Sequence, residues 1–309
     1  MSSASRRATV HRSAQEPPRG ICATVRGNVA NWRGSFRGRH ALVTGGSSGI
    51  GRALALALVQ DGAHVAILAR GRERLAALRH ELEQAARPGQ RVVAVAADVA
   101  DAEETQRAVA ECATALGGLD LLVNDAGIAL ARRAADTSLA DYRRVLEVDF
   151  LGAVHVTQAA LPHLLAAAGT ALVNVSSLAA LLPIAGYAAY APAKAALTAW
   201  SEVMRQELAP RGIRVSVVFP PDTDTPQLAE EIREKPPETR ALAGGAGLLS
   251  AEAVADSILR GVARGKATII PGGSARAVAA LARLFPGIVR RVIDRELAKA
   301  ALRAARSEP

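Results

Sequence analysis

From His40 onward the chain alternates short apolar runs with segments of helical period, and this alternation limits its possible folds more than any other feature. HALVT (40–44), HVAILA (64–69), RVVAVAA (91–97), LDLLVN (119–124), TALVNVSS (170–177), IRVSVVF (213–219) and ATII (267–270) read as strands. Helical patterns are expected near 49–61, 71–86, 101–117, 137–168, 187–210 and 250–264. Apolar strands separated by helices predict an α/β fold, one doubly wound sheet of about seven parallel strands in a single domain. The one long irregular stretch, 220–249, is rich in Pro, Gly and charge and reads as a lid or binding loop.

Half of the 309 residues are apolar, and the formal net charge is +9. That charge belongs to the ends. Residues 1–39 hold eight arginines and one glutamate and 275–309 hold eight basic and three acidic residues, whereas 40–274 hold 22 basic and 25 acidic. A nucleic-acid reader would carry its charge on a folded face with a reading element, and none is seen, so no nucleic-acid partner is expected. Residues 1–38 read as a basic disordered extension, 39–272 as the folded domain and 273–309 as a basic amphipathic helical tail. Cys22 and Cys112 match no metal or disulfide spacing, and no metal is expected. No run of eighteen apolar residues and no secretory apolar core are present, so the expected location is cytoplasmic.

The first strand runs into TGGSSGIG, with Gly45, Gly49 and Gly51 between strand and helix. A tight turn, close backbone approach and an open helix N-terminus suit a pyrophosphate, as in a Rossmann-type dinucleotide site. The second strand ends on Ala69-Arg70, which offers no carboxylate for a ribose 2′-hydroxyl but a cation for a 2′-phosphate. NADPH is therefore the expected cofactor, the alternative being a solvated charge at a helix flank. Asp98, closing the third strand, either meets the adenine or caps the next helix.

Tyr190 and Lys194, four apart, share one helical face, where an ammonium can lower the phenol pKa and make Tyr190 a general acid; Ser177 ends the preceding strand and can hold a carbonyl oxygen. With TGGSSGIG, NDAG at 124–127 and Ser177 thirteen residues before Tyr190, the stretch from about 40 to 270 resembles the short-chain dehydrogenase/reductase family of the classical type. The resemblance implies that Tyr190 is the acid/base, that Lys194 binds the nicotinamide ribose and tunes Tyr190, and that Ser177 positions the substrate oxygen. It extends the cofactor site to Ser47, Ser48 and Ile50, to Val99, to Asn124, Ala126 and Gly127, and to Pro220. Two residues depart from the family pattern. Asp125 replaces the second asparagine of NNAG at a tolerant position, and Asp149 stands where an asparagine usually anchors a relay water. Asp149 either holds that water, stabilises the Lys194 ammonium, or marks weakened activity.

After the sixth strand, PPDTDTP keeps the family's threonine as Thr225 and puts Thr223 in place for backbone contact to the carboxamide. Residues 220–240 are similar to the same segment of the family's 3-ketodihydrosphingosine reductases, which implies a long-chain sphingoid ketone as substrate. Asp222, Asp224, Glu230 and Glu231 could then attract its amine, or serve only surface solvation. A carrier-bound 3-oxoacyl substrate and a non-catalytic NADP sensor are the alternatives. The tail spaces Val278, Leu281, Phe285, Ile288, Val292 and Leu297 along a helix with arginines between, so 275–305 either meets a membrane surface peripherally or packs on the body or a partner subunit. The alanine-rich helices at 137–168 and 187–210 imply, through the resemblance, a homodimer or homotetramer.

Overall fold

In the computed structural model, which describes residues 32–242 and 247–307, the apolar runs pair as β1 (His40–Thr44), β2 (His64–Ala69), β3 (Val92–Ala96), β4 (Leu121–Asn124), β5 (Ala171–Val175) and β6 (Arg214–Val218). A two-residue pair, β7 (Thr223–Asp224) with β8 (Leu249–Ser250), stands apart, and β9 (Thr268–Ile269) closes the edge. The main sheet is parallel, in the order β3-β2-β1-β4-β5-β6-β9. The order reverses between β1 and β4, and it is at such a reversal that a doubly wound sheet opens a crevice beyond its strand ends.

Alternation along each strand feeds two cores. Val65 and Ile67 of β2 face one layer and Ala66 and Leu68 the other. The first layer is closed by α1 (Gly49–Asp61) and α2 (Arg72–Ala85), the second by α3 (Ala102–Leu116), with α4 (Leu139–Leu146) and α5 (Gly152–Ala166) following. Further along come α6 (Tyr190–Leu208), α7 (Pro226–Glu234), α8 (Pro237–Leu242), α9 (Ala251–Ala263), α10 (Gly273–Leu284) and α11 (Pro286–Ser307). Fully buried leucines such as Leu54, Leu58, Leu122 and Leu172 lock both layers to the sheet, each contributing about 2–3 kcal/mol.

Three expectations change. The helical region 137–168 is interrupted by a π-helical turn at Glu147–Leu151, which turns Val148 and Asp149 into the interior. The stretch 220–249 is not wholly irregular: Thr225 caps α7, accepting from the Leu228 N–H at 3.2 Å with Pro226 at the first helical position, and α8 follows. The boundary drawn at 38 moves back into the basic segment. Trp32 and Phe36 are buried in the first core, Trp32 donates to Asp256 at 2.6 Å, and the Phe36 N–H meets Asp61 at 2.9 Å. Residues 1–31, with Cys22, lie outside the described residues. The tail packs on the body, one of the readings left open for it: α10 and α11 fold back and α11 packs on α8.

Candidate active site

A cavity of about 580 Å³ opens at the strand ends around the β1/β4 reversal. Its floor is the turn from β1 to α1. Gly45 has φ +69°, and a Cβ there would sit 2.8 Å from the Ala126 nitrogen, so only glycine lets the turn lie against NDAG. Thr44 fixes that second loop, its hydroxyl accepting from the Asp125 and Ala126 N–H groups at 3.1 Å each. Gly45, Ser47, Ser48, Gly49 and Ile50 line the cavity. Gly51 does not. It is buried, and a Cβ on it would strike the Gly45 carbonyl at 2.6 Å, so its role is to let α1 start close to the turn. The Ser48 side chain caps nothing, which leaves the first-turn N–H groups of α1 open to an anion.

Arg70 lines the far end and pairs with Asp98 at 3.6 Å. Arg74, in the first turn of α2, lines the cavity as well, a second cation that the sequence reading missed. Asp98 and Val99 also line the cavity, and Asp98 does not cap the next helix: Asp101 does, accepting from the Glu104 N–H at 2.8 Å. Ala126 and Gly127 line the wall, but Asn124 is turned away. Its amide donates to Thr157 and to Asn174, both at 2.9 Å, tying β4 to β5 and α5. Pro220, Thr223 and Thr225 form the near rim, with the Thr225 methyl group over Gly49. Thr223 is buried and donates to the Pro221 carbonyl at 2.9 Å.

At the centre stand Ser177, Tyr190 and Lys194. Ser177 follows the end of β5 and lines the same cavity as the Tyr190 phenol, whose pKa it lowers, while Lys194 lies one turn along α6 with its Nζ 5.8 Å from the centre of the phenol ring. Lys194 is buried, donates to the Val175 carbonyl at 3.2 Å and faces Asp149 Oδ2 at 3.3 Å. Asp149 does not reach the cavity; its Oδ1 accepts from the Ile128 N–H at 2.8 Å. Of the roles open to Asp149, the geometry favours the one that pairs it with Lys194.

This pairing changes the electrostatics expected of the site. Burial works against the Lys194 charge, yet Asp149, Tyr190 and Asp125 together hold its pKa above the ordinary lysine value. Burial raises the Tyr190 pKa, Lys194 pulls it down, Asp149 and Glu231 push it up, and the result is a raised phenol, not the lowered one that the Tyr-Lys spacing suggested. Burial also raises Asp149 against the pull of Lys194. Asp125 proves more than a position tolerant of change. It lines the cavity under the glycine turn, and burial pushes it up to about 7 despite Lys194 and the Gly51 N–H.

The side facing away from the glycine turn is closed by α7 and α8. Tyr187 donates to Glu231 Oε1, and the buried Lys235 ammonium meets the same oxygen at 2.7 Å. Both contacts are made on Oε1 of the Glu231 carboxylate. Thr239 anchors this cover to the Ala185 carbonyl at 2.9 Å. Glu230 and Asp222 also line the cavity, whereas Asp224 is exposed at the rim. Leu182, Ile184, Val278 and Ile293 supply an apolar wall, the last two from α10 and α11. Cys112 is buried away from the site, and burial pushes its thiol up to about 12.

A family model described as short chain dehydrogenase matches residues 39–236. The 3-dehydrosphinganine reductase of Danio rerio is 34% identical over 235 residues, 75% of this chain and 71% of that protein. The putative oxidoreductase SadH of Mycobacterium tuberculosis is 32% identical over 271 residues, 86% of this chain and 97% of that protein. Among solved structures, a short chain dehydrogenase from Burkholderia cenocepacia in complex with NADP aligns with a TM-score of 0.67 at 37% identity, over 78% of this chain and 99% of that chain. An NADPH-bound short chain oxidoreductase from Pseudomonas aeruginosa, described as containing an atypical catalytic center, aligns at 0.69 and 30% identity, over 77% of this chain and 97% of that chain.

Proposed function

The chain belongs to the short-chain dehydrogenase/reductase family, and we propose that it uses NADPH to reduce the 3-keto group of 3-ketodihydrosphingosine or a closely related long-chain amino ketone. One observation carries the reading: Ser177, Tyr190 and Lys194 meet in the same cavity as the open α1 N-terminus and the Arg70–Arg74 cation pair. The glycine turn fits a pyrophosphate, and the two arginines suit a 2′-phosphate. Bound NADPH supplies the hydride that adds to the carbonyl carbon. The Ser177 hydroxyl and the Tyr190 phenol hold the carbonyl oxygen, and the phenol gives that oxygen its proton as the alcohol forms. A raised phenol pKa suits this direction, because Tyr190 stays protonated at neutral and mildly alkaline pH. Lys194, kept charged by Asp149, holds the nicotinamide ribose and steadies the phenolate left behind.

The sphingoid substrate is supported by the named relatives and by the unequal cavity walls. An alkyl chain would lie along Leu182, Ile184, Val278 and Ile293, while an amine beside the ketone would meet the Glu231 carboxylate. The family reading also implies a homodimer or homotetramer through α5 and α6, which sedimentation of the pure protein would measure. To test the function, the protein is incubated with NADPH or NADH and either the free amino ketone or a 3-oxoacyl thioester. NADPH consumption with the amino ketone is expected. Turnover of the thioester alone would move the substrate to a carrier-bound acyl group. NADPH binding without turnover of any long-chain 3-ketone, unchanged by Tyr190→Phe, would make the chain a sensor.

A further inference from the structure

The outer surface of α10 and α11 is unlike the rest of the molecule. Their inner sides wall the cavity through Val278 and Ile293, and Ala275 and Ala279 are buried. On the outside, Leu281, Leu284, Phe285, Ile288 and Val292 are each 51–69% exposed. Five of the twelve large apolar side chains exposed among the described residues thus fall within twelve consecutive positions, which makes a patch and not scatter. Pro286 breaks the chain between the helices, so Phe285 sits at the corner.

The basic residues are arranged around this patch. Ile288, Arg291, Val292 and Arg295 follow the i, i+3, i+4, i+7 spacing of one helical face, and all four are exposed. Residues 275–309 hold eight basic and three acidic residues, against 22 basic and 25 acidic in residues 40–274. No helix among the described residues is long and apolar enough to cross a membrane, so an apolar face with arginines beside it would lie on a bilayer.

We propose that the α10–α11 corner docks on an anionic lipid bilayer, with Phe285 and Ile288 entering the acyl boundary and Arg291 and Arg295 meeting lipid phosphates. A second copy of the chain is the less suitable occupant, because an isologous contact would bring two copies of this basic patch together, like charge facing like charge. Since the same helices wall the cavity, docking sets that wall at the membrane surface, where a long-chain lipid would be met. The inference goes beyond the proposed reaction and does not depend on which ketone is reduced.

The test is co-sedimentation of the full-length protein with vesicles of phosphatidylcholine alone or mixed equally with phosphatidylglycerol, with no substrate present. The protein is expected to pellet with the mixed vesicles only. Arg291→Gln with Arg295→Gln should weaken binding about fivefold per arginine removed. Phe285→Glu with Ile288→Glu should abolish it. Both variants should keep the NADPH affinity of the parent, which shows that they are folded. The proposal is overturned if the parent protein ignores anionic vesicles. It is equally overturned if both variants bind as the parent does, which would assign the attraction to another basic segment such as 1–31. A parent dimer that ignores vesicles and falls apart in the glutamate variant would give the patch to a second copy.

Discussion

Replacing Asp149 by asparagine separates the two charges behind the Tyr190 phenol. Lys194 Nζ lies 5.8 Å from the Tyr190 ring, a separation at which unit charges attract by about 3 kcal/mol at an effective dielectric of about 20. Asp149 Oδ2 stands 3.3 Å from the same Nζ, so it is at most about 9 Å from the ring and repels the phenolate by at least about 2 kcal/mol. The aspartate therefore cancels more than half of what the lysine provides. Asp149→Asn keeps an acceptor for the Ile128 N–H and removes the charge. The ratio of phenol to phenolate should fall by roughly 20-fold at a given pH. Reduction needs the protonated phenol, so activity is full below the Tyr190 pKa and lost above it. A lower pKa moves the alkaline limb of kcat to lower pH, and phenolate-dependent alcohol oxidation should gain at neutral pH. The assay is kcat against pH in both directions, with melting temperature recorded to register the strain on an unpaired Lys194. An unmoved limb, or one displaced to higher pH because Lys194 has lost its own proton, would refute the electrostatic account.

Further outcomes follow from other contacts. Arg70→Ala with Arg74→Ala should lower the NADPH-over-NADH preference by about 10- to 100-fold, read from KM for the two cofactors, with kcat largely kept. Asp125, pushed up to about 7, is neutral below that pH and an anion facing the pyrophosphate site above it. NADPH affinity should therefore weaken by roughly tenfold between about pH 6 and 8, and Asp125→Asn should flatten the dependence in a fluorescence titration. Glu231→Gln should raise KM for an amino ketone by roughly tenfold and leave a neutral 3-ketone unaffected, with a lower melting temperature because Lys235 loses its partner. Trp32→Ala should cost about 3–5 kcal/mol in denaturant unfolding, since the ring is buried against Phe36 and its N–H is bonded to Asp256.

The sheet was legible because its strands are buried on both faces, so each announces itself as a continuous apolar run. The glycine turn and the Ser177, Tyr190 and Lys194 set were legible because their spacing within one strand or helix fixes their geometry. What escaped depends on distant parts of the chain. The helices α7 and α8, of nine and six residues, are too short to persist alone and are held by Thr239 on Ala185 and by the tail. Trp32 carries no periodic signal, and its burial is decided by Asp256, 224 positions away. The phenol's raised pKa was missed for the same reason. The Tyr-Lys spacing shows the cation, but only the π-helical turn puts a carboxylate behind it.

The packing of α11 on α8 has a practical side. The last helix among the described residues is also part of the cavity wall through Ile293, and it braces the short helix α8. Trimming the protein after β9, or hanging a bulky tag from its C-terminus, is therefore an active-site perturbation. Such a form would keep its sheet and glycine turn and would still take up cofactor, while its ketone KM drifted with the length of what was removed. Weak activity in a shortened form would report a missing wall, not a defective acid or hydride path.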